Sequence, residues 1–198
     1  MTTSLERHAN GISWTDGGTM ARSAHALVAD GQVWLIDPFE DAEALAAARE
    51  LGEPVGVIQL LDRHRRDGAS IAQRLGVPLL QMPAAVPSSP FTVISVISRA
   101  KWNEIALWWE AEKTLIVAEA VGTGPLFALG RRAGVHPMLR LVPPRSALGA
   151  YAPDSMLVGH GPPVASDAAA ALTDALDNSR RDIPKLLISL PKALRRGG

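Results

Sequence analysis

Two short segments and one isolated residue hold the side chains best suited to chemistry. Leu61-Asp62-Arg63-His64-Arg65-Arg66-Asp67-Gly68 packs three arginines, one histidine and two aspartates into a loop-sized stretch between an apolar run and a helical pattern. Far downstream, Leu157-Val158-Gly159-His160-Gly161-Pro162-Pro163 ends another apolar run on a histidine set between glycines, and Glu119 ends a third. Imidazole nitrogens and carboxylate oxygens are the donors that borderline divalent cations prefer, so the acids and histidines of these segments are the residues to weigh as ligands. Arginine ligates no cation, but its planar fork bridges carboxylates and grips phosphate. Arg63 and Arg65, in a loop with three arginines, are therefore candidate anion-binding residues.

Each of these residues has an ordinary structural alternative. Asp67 opens a helical pattern and reads equally as an N-cap, worth about 1 kcal/mol. His160 reads as a turn residue bonded to a backbone carbonyl, Glu119 as an exposed strand terminus, and the arginines as a solvated loop. His64, in the same loop, is expected to point away from the pocket. His8 and His136 have no partner pattern and read as surface residues; His25 lies in a hairpin strand with no assigned role. Trp102, Trp108 and Trp109 read as sheet packing.

The elements that must position these residues follow from local pattern. Asp30-Gly31 between Ala24–Ala29 and Gln32–Asp37 predicts a two-residue hairpin turn. Asp41 caps a helix over 42–51 ended by Gly52, and Asp67 precedes a second over 68–75 ended by Gly76. The continuous apolar run 55–60 predicts a strand buried on both faces, and 78–82 another. Residues 83–90 hold three prolines and two serines and predict a loop. Strands are expected at 91–97, 104–110, 114–119 and 155–158, a short helix at 126–133, and a helix over 167–180 capped by Ser166. Residues 183–198 form a basic amphipathic tail with Lys185, Lys192, Arg195 and Arg196. The order predicts an α/β protein in one domain over 1–198, with two sheets face to face and helices outside.

Composition narrows the function classes. Twenty basic and twenty acidic residues cancel, so no global field favours nucleic acid or an anionic membrane, and a solvated or docked tail is expected. The chain has no cysteine, which excludes disulfides, thiolate metal sites and thiol nucleophiles. The polar residues 1–10 have no signal-like apolar run, and 79–98 is broken by Pro83, Pro87 and Pro90, so a cytoplasmic location without a membrane span is expected.

With these elements in order, the chain resembles the metallo-β-lactamase-fold hydrolases over about Ala24 to Ala175. The resemblance rests on Leu35-Ile36-Asp37-Pro38, the loop ending at Gly68, the strand pair leading to Lys113-Thr114-Leu115-Ile116-Val117-Ala118-Glu119, and Gly159-His160-Gly161. It implies a four-layer αββα sandwich and a His-x-His-x-Asp-His loop around two metal ions. Anchored on Asp67, that motif falls on Arg63, His64, Arg65, Arg66, Asp67 and Gly68, and 98–101 lacks the family's next histidine. Of the implied ligand positions, Asp67, Glu119 and His160 keep a donor. The first metal site is then expected to be lost, with the Arg63 or Arg65 guanidinium neutralising the carboxylates.

The resulting expectation is a relative without the dinuclear centre and without a cofactor, binding a small anionic molecule or a partner in the old cleft. The alternative is a hydrolase with one divalent ion (zinc, manganese or iron) on Asp67, Glu119 and His160, acting on an ester, thioester, lactone or phosphodiester. A scaffold role as a homodimer is the third reading.

Overall fold

The computed structural model describes residues 3–196, with side chains through residue 189. The first sheet begins with two antiparallel strands, β1 (Thr3–His8) and β2 (Gly11–Asp16). Neither was legible as a strand, because β1 alternates between half-buried and exposed residues at the sheet edge and its outer face is polar. β3 (Ser23–Ala29) and β4 (Gln32–Ile36) close as the expected hairpin, with Asp30 and Gly31 at φ 51° and 75°.

Helix α1 (Ala42–Glu50) starts where Asp41 accepts a hydrogen bond from Ala44 N at 2.9 Å. It carries the chain across to β5 (Glu53–Gln59), parallel to β4. Helix α2 (Gly68–Leu75) ends on Gly76 at φ 70°, a left-handed cap that glycine adopts without strain, and leads to β6 (Leu79–Gln81), parallel to β5. The six strands lie in chain order.

The second sheet holds β7 (Phe91–Arg99), β8 (Trp102–Trp109) and β9 (Thr114–Val117) as an antiparallel meander. A ribbon of β10 (Val121–Gly122) and β11 (Gly134–Val135) flanks α3 (Pro125–Ala128). α3 is shorter than the sequence pattern suggests, because Leu129 and Gly130 both turn to positive φ. After α4 (Arg145–Leu148), β12 (Ser155–Val158) joins the second sheet parallel to β9. α5 (Ala168–Asn178) begins after Asp167 at φ 49°, not on a Ser166 cap, and α6 (Ile183–Arg196) ends the described chain.

Alternation along the strands sorts the layers. Val33, Leu35 and Val57 face outward onto Ala44, Ala47 and Ala48 of α1 and Ile71 of α2. Trp34, Ile36 and Ile58 face inward onto the second sheet, sharing a core with Leu107, Leu115 and Ile116. That core continues to Ala171, Leu172 and Ala175 of α5. Each fully buried Leu or Ile contributes about 1.5–3 kcal/mol, so Ile58→Asp between the sheets would unfold the sandwich. The arrangement is an αββα sandwich. Among the described residues, no helix is long and apolar enough to cross a membrane. The side chains of Lys192, Arg195 and Arg196 lie outside those described.

Candidate metal centre

The loop after β5 is pinned to both sheets. Leu60 N donates to Asp37 Oδ1 at 2.9 Å, Ile105 N to Leu60 O at 2.9 Å, and Asn103 N to Asp62 Oδ2 at 2.8 Å. Two tight turns follow, closed by His64 N on Leu61 O and Gly68 N on Arg65 O. Arg66 sits at φ 40°, a left-handed conformation that costs an L-residue roughly 1–2 kcal/mol. Side-chain direction in such a loop obeys no fixed period. His64 is buried here, while Arg63 and Arg65 are exposed.

Arg66 repays its strain beneath the site. Its Nη1 donates to the carbonyls of Ser23 and Asp37, and its Nη2 to Gly159 O at 3.0 Å. The guanidinium thus ties the start of β3, the end of β4 and the end of β12. Burial lowers its pKa from the usual arginine value, and the nearby Asp37 carboxylate opposes that shift.

Three donors meet above it. One nitrogen each from His64 and His160 and one oxygen of Glu119 lie within 4.8 Å of one another. His64 Nδ1 is 2.9 Å from Asp37 Oδ2, with both side chains buried. His160 Nδ1 is 2.9 Å from Met20 O, its ring stacks on Phe127 at 5.2 Å, and its own carbonyl accepts from Thr123 N and Gly124 N. Gly159 makes room for this packing: a Cβ there would lie 2.2 Å from Ala118 O and 2.9 Å from His64 Cε1. Glu119 is placed by Glu104, whose Oε1 accepts from Glu119 N and Ala120 N at 2.8 Å. Burial pushes the Glu104 carboxyl up to about 7, against those hydrogen bonds.

The proton positions follow from the partners. A carbonyl oxygen only accepts, so His160 carries its proton on Nδ1 and leaves a lone pair on Nε2. Burial, helped by His64 and Arg66, pushes the His160 pKa down to about 4, so the ring is neutral near pH 7. Its Nε2 is buried without a hydrogen-bond partner and lies 3.6 Å from Glu119 Oε1. A carboxylate only accepts, so His64 donates from Nδ1 to Asp37 and its Nε2 is turned away from that bond. A carboxylate behind a histidine is the usual support of a metal ligand. Two donors each about 2.1 Å from a tetrahedral ion sit about 3.4 Å apart, close to the His160–Glu119 spacing. The residues present fit a single divalent cation.

The other oxygen of Glu119 is engaged. Arg63 Nη2 reaches Glu119 Oε2 at 2.5 Å, and its guanidinium lies over the Trp102 ring at 4.3 Å. Trp102 Nε1 donates to Glu104 Oε2 at 3.2 Å.

The structure brings Arg63, Glu119 and His160 together and leaves two expected residues out. Arg65 is exposed and bonds to neither carboxylate. Asp67 makes no side-chain cap to α2 and is not among the converging donors; its Oδ2 accepts from Glu40 N at 2.8 Å. His64 occupies the pocket from which sequence spacing had excluded it. Asp37 stood in the Leu35-Ile36-Asp37-Pro38 motif without a role of its own, and Glu104 and Arg66 carried no signal as site residues. His64 did, as the one imidazole in the loop, and donor type outweighs register where the backbone is irregular.

No family model matches the sequence, and no curated protein matches it. Solved structures do match. The metallo-β-lactamase DIM-1, exposed to ceftazidime, superposes with a TM-score of 0.61 at 14% identity, over 91% of this chain and 98% of that one. TMB-1 gives 0.59 at 12% identity, over 93% and 98%. The B3 metallo-β-lactamase BLEG-1 gives 0.52 at 15% identity, over 85% and 95%. At these identities the likeness speaks for architecture. Together with the layer order and the position of the site at the strand ends, it shows that this chain has the metallo-β-lactamase fold.

Proposed function

We propose that the cleft is a single-ion hydrolytic site, with His64, His160 and Glu119 holding one divalent cation and Arg63 receiving an anionic substrate group. The observation that carries this reading is the orphaned Nε2 of His160 facing a carboxylate oxygen. Three protein donors with a position left over is the pattern of catalytic rather than structural zinc sites. A cation bound there supplies Lewis acidity, polarising a carbonyl or phosphoryl oxygen and acidifying water. The chain's own residues do the rest. Asp37 and the Met20 carbonyl fix the two imidazoles, Glu104 fixes the backbone of Glu119, and Arg63 on Trp102 offers a fork for a carboxylate or phosphate. An ester, thioester, lactone or phosphodiester carrying a negative charge fits that division of labour.

A second reading rests on the Arg63–Glu119 ion pair. The guanidinium already neutralises Glu119, so the cleft would bind an anion with no metal at all. Elemental analysis after incubation with zinc, manganese or iron separates the two. Near-stoichiometric metal that is lost in His160→Ala supports the hydrolase. No metal, with a thermal shift by phosphate that disappears in Arg63→Ala, supports the anion site.

A further inference from the structure

Five of the six large apolar side chains exposed among the described residues fall in two segments. Met138, Leu141 and Val142 are 75%, 67% and 65% exposed, and Leu187 and Ile188 of α6 are 62% and 70% exposed. The segments share one corner. Arg180 Nε donates to Leu141 O at 2.9 Å, and Arg140 Nη1 lies 3.9 Å from Asp182, the residue before α6. Leu186 is buried and seats the first turns of α6 on the body.

Charge follows the same geography. Residues 178–198 hold six basic residues and one acidic, in a chain whose charges cancel overall, so the rest of the protein is net acidic. The one acid, Asp182, is buried and bound by Arg131 at 2.6 Å. Asp174 and Asp177 beneath are likewise paired, with Arg131 and Arg145. Arg181 and Lys185 are exposed beside the apolar side chains.

We propose that this corner is a membrane-surface docking site, on which α6 lies in the plane of an anionic lipid bilayer. Leucine, isoleucine, valine and methionine would enter the headgroup boundary, and arginine and lysine would meet lipid phosphates. A second copy of the chain fits less well, because a two-fold contact would set Arg181 and Lys185 against themselves. A peptide partner needs a groove, and none of these apolar residues lines the cavities beside Leu45, Leu172 or Leu157.

The test is sedimentation of the full chain with vesicles of phosphatidylcholine and phosphatidylglycerol in equal parts, beside vesicles of phosphatidylcholine alone. Binding is expected only to the anionic vesicles and is weakened by high salt. Leu187→Asp with Ile188→Asp, and separately Arg181→Glu with Lys185→Glu, should each weaken it by about tenfold or more. Met138→Asp with Leu141→Asp repeats the test outside α6, should the helix variants fail to fold. No binding to anionic vesicles, or binding unchanged in folded variants, overturns the proposal. So does a dimer in solution that Leu187→Asp converts to monomer.

Discussion

His160 Nε2 lies 3.6 Å from Glu119 Oε1, and the imidazole, whose Nδ1 proton is given to Met20 O, brings no proton to the gap. A buried imidazole lone pair facing a carboxylate oxygen is repelled unless a cation or a proton enters between them. With the imidazole pKa pushed down to about 4, a proton does not stay there near neutral pH.

One ion per chain is therefore the expected stoichiometry, not two. His64→Ala and His160→Ala should each lose binding by well over tenfold, while Arg65→Ala and Asp67→Ala should keep it. Competition titration against a chromophoric chelator reads all four. Unchanged affinity in His64→Ala would remove the histidine from the site.

Asp37 is predicted to act through His64 without touching the ion. Its Oδ2 meets His64 Nδ1 and its Oδ1 receives Leu60 N. Asp37→Asn keeps an acceptor for the backbone but weakens the hold on the imidazole tautomer. Metal affinity should fall by about 10–100-fold. If affinity falls no further than in a control substitution on the exposed face, the support role is wrong.

The sequence made the layers legible and misplaced part of the site for one physical reason. Strands β3, β4, β5 and β12 and helices α1, α2 and α5 bury regular stripes, so their residues repeat with a readable period. The site loop has no period. Its turns at His64 and Gly68 and the positive φ of Arg66 decide which side chains face inward. Motif spacing anchored on Asp67 therefore pointed to Arg65, while the fold turned His64 and Arg66 inward. Glu119 and His160 stand just past regular strands, where direction is inherited from the sheet, and these two do converge. Glu104 was invisible because a buried strand carboxylate looks, in sequence, like an exposed one.

Arg63 is predicted to govern anion binding with little effect on folding. Its side chain is 43% exposed, so the ion pair with Glu119 is screened and worth about 1 kcal/mol at most. Arg63→Gln should abolish phosphate- or carboxylate-induced thermal shifts, and should leave metal affinity equal or higher by freeing Glu119. A retained anion shift in this variant would move the anion elsewhere.

His25 should set part of the pH dependence of stability. Its Nε2 donates to Val158 O, and its Nδ1 accepts from Ser13 at 2.7 Å. Burial pushes its pKa down to about 3, from 6.5 in the unfolded chain. Between those values the unfolded chain binds a proton that the native state refuses. This group's contribution is therefore complete above pH 6.5 and declines as pH falls, by about 1.4 kcal/mol per unit. Glu104 runs the other way. Raised to about 7 from 4.5, it stabilises below pH 4.5 and loses that contribution as pH rises through 7. Urea titrations of His25→Gln against wild type isolate the first effect, since Gln can still donate to Val158 O. The difference should vary by about one proton between pH 6 and 4 and be flat above 7. A constant difference across the range would show that His25 is not neutral in the folded state.

Arg66 is the residue whose loss should cost most. Its head group satisfies the carbonyls of Ser23, Asp37 and Gly159. Arg66→Met fills the space of the stem but leaves those three carbonyls without their donor. Leaving a buried carbonyl without its donor costs about 1–3 kcal/mol for each group. Because the contact joins β3, β4 and β12, the loss falls on the whole sandwich and not on one loop. The denaturation midpoint should drop with an unchanged slope. Arg66→Lys should recover only a fraction, since an ammonium lacks the planar fork that reaches three strand ends at once. A midpoint within error of wild type in Arg66→Met would mean that water serves those carbonyls equally well.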